Sequence, residues 1–243
     1  MKIEVWSDFV CPFCYIGKRR LETALSQFPH KEKVEIEYKS FELDPNSQKY
    51  SGSNIHEILA SKYGMSLEQA KQSNAGIAKQ AAAIGLSFNF DDMKPGNTFD
   101  AHRLAKFAKT KGKDREITEK LLHGYFTESI DLGDTETLVN LAESVGLNRQ
   151  EAHAILQDKT AYANDVRNEE SMAKQYGISG VPYFIINQKY AISGAQPTET
   201  FASALQQIWE EESSSQKLQS LNADTNEGVI CTDESCGIPN KKE

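Results

Sequence analysis

The sequence predicts one α/β domain interrupted by a helical insertion. Three observations carry this. Strand and helix patterns alternate near the start, a long middle stretch is helical in pattern, and strand patterns return near the end. The 243 residues suffice for one large domain or two small ones. They can bury a core that needs no disulfide staples.

Ile3 to Trp6 reads as a short buried strand. Pro12 to Phe28 reads as a helix, with Tyr15, Leu21, Leu25 and Phe28 on its apolar side. Pro12 suits a first helical turn, where its missing N–H costs nothing. Val34, Ile36 and Tyr38 alternate with Glu35, Glu37 and Lys39, the period of a strand. Strand, helix and strand in that order make a βαβ unit with parallel strands and a right-handed crossover. Asp44-Pro45 and the polar stretch to Ser53 form a linker.

From Ile55 to about Tyr176 the pattern is helical. Ser66 to Gln69 and Asn148 to Glu151 read as N-caps with a return contact three residues on. Gly85, Gly112, Gly133 and Gly146 punctuate helix ends. Leu86 to Phe90 is a short extended piece. Tyr183 to Ile186 and Tyr190 to Ser193 form a hairpin around Asn187-Gln188-Lys189, and a helix from Thr198 to about Glu211 closes the fold. The expected segments are 1–50 (the first, βαβ half), 51–165 (the helical insertion), 166–212 (the second, ββα half) and 213–243 (a flexible acidic tail). From Glu211 onward the chain holds seven acids against three bases and few apolar residues, a composition poorly suited to a core.

Net charge is −8, from 27 basic and 35 acidic side chains. A basic nucleic-acid footprint is absent. No apolar run approaches the roughly 18 residues of a membrane helix. The start carries no long apolar stretch after a basic residue and no small-residue cleavage site, so the expected compartment is the cytoplasm. There, close cysteine pairs serve catalysis, redox sensing or metal binding more often than structure.

The four cysteines form two tight pairs at opposite ends, Cys11 with Cys14 and Cys231 with Cys236. Cys11-Pro12-Phe13-Cys14 sits at a strand-to-helix junction. The first cysteine meets the helix N-terminus, where unpaired N–H groups and the dipole favour an anion. A thiolate there is stabilised, and the thiolate is the attacking form. The second cysteine lies one turn along and can resolve a mixed disulfide. Cys11 is thus the candidate nucleophile and Cys14 the resolver, with Pro12 and Phe13 shaping the turn and the redox poise. The alternative is half a zinc site, short of the usual four ligands, with His30 at the far end of the helix as the nearest other candidate.

Gly180-Val181-Pro182-Tyr183 opens the hairpin. A proline at a strand's first position is tolerated without special purpose. The sharper reading is a cis Val181–Pro182 peptide that presents Val181's backbone beside the Cys11 sulfur.

These residues resemble a family. Val-Trp-Ser-Asp-Phe-Val-Cys-Pro-Phe-Cys-Tyr-Ile-Gly (5–17), Gly-Val-Pro-Tyr-Phe (180–184) and Gly-Ala-Gln-Pro (194–197) are similar to DsbA-like thioredoxin-fold oxidoreductases. With Asn-Thr-Phe-Asp-Ala-His-Arg-Leu (97–104), the likeness is nearest to the FrnE branch of dithiol-disulfide isomerases and covers roughly residues 1–210. It implies a thioredoxin fold split by a helical insertion, with a C-terminal extension. It implies that Pro182 is a cis-proline facing Cys11 and Cys14, and that Val181's backbone pairs with a substrate strand. It implies no cofactor beyond the redox-active disulfide and no metal. The expected partners are protein or small-molecule disulfides, and a thioredoxin or glutathione system as reductant. One departure stands out. Val5 holds the position six before the first cysteine, where relatives often carry a buried acid, so Asp8 is a weak candidate for proton handling at Cys14. Related kappa-class glutathione transferases and 2-hydroxychromene-2-carboxylate isomerases, the alternative function, commonly have serine where this chain has Cys11.

Cys231 and Cys236 lie five apart in the acidic tail, and Asp233 and Glu234 between them are expected to raise their thiol pKa. The spacing resembles a C-terminal CxxxxC extension of some FrnE-like proteins, which implies a second redox pair. A tethered pair has a high effective concentration at the first. The rivals are a stray disordered tail and a metal contact completed by another chain. His102 and Arg103 read as a helix-surface pair, with a substrate-pocket role as the alternative. His123, Tyr125 and Phe126 read as core and rim packing. The function expected is thiol–disulfide oxidoreduction or isomerisation on protein disulfides.

Overall fold

In the computed structural model, which describes residues 1–50, 52–215, 230–232 and 235–237, the first strand, β1 (Lys2–Ser7), lies inside a four-stranded sheet. Five of its six residues are buried, Glu4 among them, because both faces of the strand are covered. β2 (Glu35–Ser40) pairs with it in parallel, with Ile3 opposite Ile36 and Val5 opposite Tyr38. β3 (Tyr183–Ile186) pairs antiparallel on its other side, with Val5 opposite Phe184. β4 (Tyr190–Ser193) is the edge, giving the order β2-β1-β3-β4.

The crossover from β1 to β2 is α1 (Pro12–Gln27). The three-residue β3–β4 turn, Asn187 to Lys189, has both Asn187 and Gln188 at positive φ, 51° and 56°, a twist of the hand that hairpin turns favour. Asn187 also anchors the turn, its side-chain oxygen accepting from the Lys2 N–H at 2.6 Å. α9 (Thr198–Ser215) packs Phe201 edge-on against Phe184, with centroids 4.8 Å apart. This βαβ and ββα arrangement is the thioredoxin architecture that the resemblance implies. α9 runs to Ser215, past the boundary expected at 213.

Seven helices lie between the halves: α2 (Ile55–Tyr63), α3 (Leu67–Ala82), α4 (Phe99–Thr110), α5 (Asp114–Phe126), α6 (Thr135–Ser144), α7 (Arg149–Gln157) and α8 (Ala163–Gln175). Ser66 and Gln69 form the reciprocal capping box at α3. At α7 the expectation is half right. Asn148 accepts from the Glu151 N–H at 3.0 Å, but the Glu151 carboxylate turns outward to Lys111 at 2.9 Å. The stretch from Leu86 to Phe90 forms no strand; Asn89 bonds to the Phe126 carbonyl and Phe88 stacks on Phe126 at 4.6 Å.

α4 is the buried hub of the insertion, with Ala101, Leu104, Phe107 and Ala108 almost without exposure. Its core is continuous with Phe9, Tyr15 and Ile16 around the start of α1. The helices therefore share one hydrophobic interior with the sheet half, and residues 1–205 form one compact unit. Residues 206–243 form a second unit. Its described part holds β5 (Ile230–Thr232) and β6 (Ser235–Gly237), an antiparallel pair with Cys231 opposite Cys236. The rest of the expected tail, Asp233 and Glu234 included, lies outside the described residues. Among the described residues no helix is long and apolar enough to cross a membrane.

Candidate active site

β1 ends at Ser7 and delivers the chain to a turn in which the Cys11 N–H donates to the Asp8 carbonyl at 3.2 Å. Cys11 then caps α1, with Pro12 in the first turn. The Cys14 N–H donates to the Cys11 carbonyl at 3.0 Å. No acidic residue occupies the first turn of α1, so the positive end of the helix faces Cys11 without a competing carboxylate on its own helix. Both thiols are free.

The two cysteines differ in setting. Cys14 is 2% exposed. Burial pushes its thiol well above the ordinary value, and the neighbouring Cys11 sulfur adds to the effect. The Ser7 side chain and then the Asp8 backbone work the other way, favouring the thiolate. Cys11 sits where α1 and the β3 approach meet. Its Sγ donates to the Val181 carbonyl at 3.5 Å, and the Val181–Pro182 peptide is cis. Pro182 can lie against α1 because position 17 is glycine. A Cβ there would stand 3.1 Å from the Pro182 Cγ and 3.2 Å from the Phe184 Cζ. Val181 and Pro12 are half-buried, and Phe13 is 39% exposed. These three reach the surface beside the dithiol.

Asp8 is buried behind the cysteines. Its carboxylate accepts from the Leu43 N–H at 2.8 Å and faces the His102 Nε2 at 3.4 Å. His102 stacks against Phe9 at 4.6 Å. The expected helix-surface pair of His102 and Arg103 is corrected on both counts, since α4 is surrounded by other helices. Arg103 is wholly buried. It donates to the Ala161 carbonyl at 2.7 Å, to Asp100 Oδ1 at 2.7 Å, and to the Ile155 and Asp158 carbonyls. Arg103 is thus a structural clamp on the α7–α8 connection, while His102 faces Asp8. Tyr125 and Phe126 are core residues; His123 is exposed, 3.4 Å from Glu128. Ser7 escaped the sequence reading. Its one signal was adjacency to Asp8 in the Trp6-Ser7-Asp8-Phe9 run.

His30 lies beyond the C-terminus of α1. Sixteen helical residues span about 24 Å, so it is not placed to share a metal with Cys11 and Cys14. Cys231 and Cys236 lie on β5 and β6 of the second unit, opposite each other in register. Directly opposed residues of an antiparallel pair are about 4.5–5.5 Å apart at Cα, a spacing a disulfide can bridge.

Residues 2–206 match the DSBA-like thioredoxin domain family. The chain is 30% identical over 209 residues to YwbO of Bacillus subtilis (strain 168), described as uncharacterized, covering 84% of this chain and 94% of that one. It is 40% identical to a probable DsbA oxidoreductase, SCO1869 of Streptomyces coelicolor, with a TM-score of 0.84 and 99% of this chain and 100% of that one covered. A 2-hydroxychromene-2-carboxylate isomerase shares the fold at a TM-score of 0.66 and 15% identity, with 89% and 100% covered. A dithiol at the head of α1, the cis-proline beside it and a family match across the whole first unit agree: the chain belongs to the DsbA-like thioredoxin-domain family of thiol–disulfide oxidoreductases.

Proposed function

We propose that the protein reduces or isomerises protein disulfides through Cys11 and Cys14. The observation that carries this reading is the asymmetry of the dithiol. Cys11 caps α1 against the Val181 carbonyl, while Cys14 is sealed one turn behind it. The Cys11 thiolate attacks one sulfur of a substrate disulfide, and the other substrate sulfur leaves as a thiolate. Cys14 then attacks the Cys11 sulfur, the substrate sulfur departs with the bonding electrons, and a Cys11–Cys14 disulfide forms. A thioredoxin or glutathione system supplies the two electrons that restore the dithiol. Pro182 holds the Val181 backbone beside the sulfur, where it pairs with the substrate strand. Pro12, Phe13 and Val181 offer an apolar rim to unfolded chains. The compartment proposed is the cytoplasm, where a reducing poise favours reductase or isomerase work over net oxidation.

Cys231 and Cys236 are proposed as a second redox pair that exchanges with the first. Their opposed positions on β5 and β6 support a local disulfide. Insulin reduction and scrambled-ribonuclease refolding test the main reading. Activity should vanish in Cys11→Ser, and wild-type activity no higher than that control would overturn it. Redox kinetics of Cys11–Cys14 should change in the Cys231→Ser/Cys236→Ser variant; unchanged kinetics would remove the relay.

A further inference from the structure

We propose that the Cys14 proton leaves through Ser7 and one buried water to the Asp8–His102 pair, making Ser7 and His102 positioning residues for the resolving step. This rests on the disulfide-exchange reading above. The need for such a route comes first. Cys14 must be a thiolate to attack, yet it is 2% exposed and its setting favours the thiol. Bulk water does not reach a sulfur so buried. The β1 position six before Cys11 is Val5, itself buried and apolar, so β1 supplies no acceptor at that place.

The route is visible behind the dithiol. Ser7, at the end of β1, favours the Cys14 thiolate. Ser7 also lines a small recess of about 10 Å³, together with Phe9, Ser40, His102, Lys106 and Thr118. That is the room one water needs. The hydroxyls of Ser40 and Thr118 are buried and lack a protein hydrogen-bond partner. A polar cavity of one-water size is wet where an apolar one stays dry. His102 lines the same recess and stands 3.4 Å from Asp8, whose other oxygen is fixed by the Leu43 N–H. The chain of groups therefore runs from thiol to hydroxyl to water to imidazole, with a carboxylate behind it.

The step balances as follows. The Cys14 thiol gives its proton to the Ser7 oxygen as Ser7 gives its own to the water, and the water gives one to His102. The Cys14 thiolate then attacks the Cys11 sulfur of the mixed disulfide. The Cys11–substrate bond breaks, and its electron pair leaves on the substrate sulfur. Other ionisable groups face this path. Burial pushes the Glu42 carboxyl, after β2, upward, and Arg167 and then His102 oppose that push in part. Lys106 on α4 and Tyr38 and Lys39 on β2 line the recess. Tyr125 on α5 is raised by burial and then by Asp8.

The test reacts the reduced protein with oxidised glutathione, quenches with acid, and follows the Cys11–glutathione adduct by mass spectrometry. Ser7→Ala and His102→Gln should prolong the adduct by about 100-fold at pH 7, the low end for an internal acid–base group. The deficit should narrow by about tenfold per pH unit as hydroxide replaces the internal acceptor. Adduct decay at the wild-type rate in Ser7→Ala, or a slowing identical at every pH, would overturn the route. If His102→Gln does not fold, Ser7→Ala alone decides. A wild-type protein that forms neither the adduct nor the Cys11–Cys14 disulfide would overturn the exchange reading itself, and this route with it.

Discussion

Glu119 of α5 ties α1, the helix that carries both active-site cysteines, to the helical insertion, and Glu119→Gln tests how much that tie is worth. The carboxylate accepts from the Tyr15 hydroxyl at 2.6 Å and the Arg19 guanidinium at 2.7 Å, and it binds the Lys18 ammonium. Burial alone would raise its pKa. The Lys18 charge and hydrogen bond, then Tyr15 and Arg19, outweigh burial and bring it from 4.5 to about 2. At about 1.36 kcal/mol per pH unit the ceiling is about 3 kcal/mol. The side chain is 33% exposed, and solvent screening reduces this to about 1–2 kcal/mol. A carboxylate with a depressed folded-state pKa stabilises fully above its unfolded value near 4.5, and that contribution is lost as pH falls through about 2. Gln keeps the shape and one acceptor oxygen but removes the charge, leaving buried Lys18 only Glu22 at 2.6 Å. Urea denaturation followed by circular dichroism should show the variant about 1–2 kcal/mol less stable at pH 7, with a clearly smaller gap at pH 3. Equal stability at pH 7, or a gap of constant size down to pH 3, would refute the reasoning.

Two further substitutions separate site from scaffold. Gly17→Ala puts a methyl 3.1 Å from Pro182 and 3.2 Å from Phe184, closer than relaxed van der Waals contact. It should cost about 1–3 kcal/mol and slow insulin reduction severalfold by displacing Pro182 from Cys11; full activity at unchanged stability would contradict this. Arg103→Met removes a buried cation from Asp100 and three carbonyls. The expected loss in chemical denaturation is about 3–5 kcal/mol, and a loss under 1 kcal/mol would mean the clamp is idle.

What the sequence disclosed was whatever nearest neighbours decide. The alternation of Val34, Ile36 and Tyr38, the Pro12 start of α1 and the Asn187-Gln188 turn are local choices, and each appears where its pattern lies. The Cys11–Cys14 spacing is legible for the same reason. His102 and Arg103 show the limit. A helix surrounded on several sides buries polar groups that local pattern assigns to solvent, and each relies on a distant partner: Asp8 lies 94 residues from His102, and Ala161 lies 58 from Arg103. Nothing within a turn of either residue announces those partners. The β5–β6 pair was hidden for a different reason. Its strands are three residues long and carry no alternation, so an acidic, Ser-rich context outweighed them.

The Val181 carbonyl gives the proposed exchange an order of events. The sheet ladder between β1 and β3 ends at Trp6 opposite Tyr183, so Val181 lies two residues beyond it. Its carbonyl accepts from the Cys11 thiol at 3.5 Å. A thiolate has no proton to donate, so ionisation of Cys11 releases that carbonyl at the moment the nucleophile forms. A buried or half-buried carbonyl left without a donor is unfavourable, and a substrate backbone N–H arriving beside the sulfur restores one. In the proposed exchange, activation of Cys11 and capture of an extended substrate are thereby coupled through one acceptor. In the mixed disulfide Cys11 again has no proton to offer, so the carbonyl holds the substrate strand until Cys14 attacks. Once the substrate has left and the dithiol is restored, the Cys11 thiol can reclaim the carbonyl. Substrates with an accessible backbone N–H next to the disulfide should therefore react faster than small disulfides of equal reduction potential. Equal single-turnover rates for an extended peptide disulfide and its N-methylated counterpart would refute that coupling.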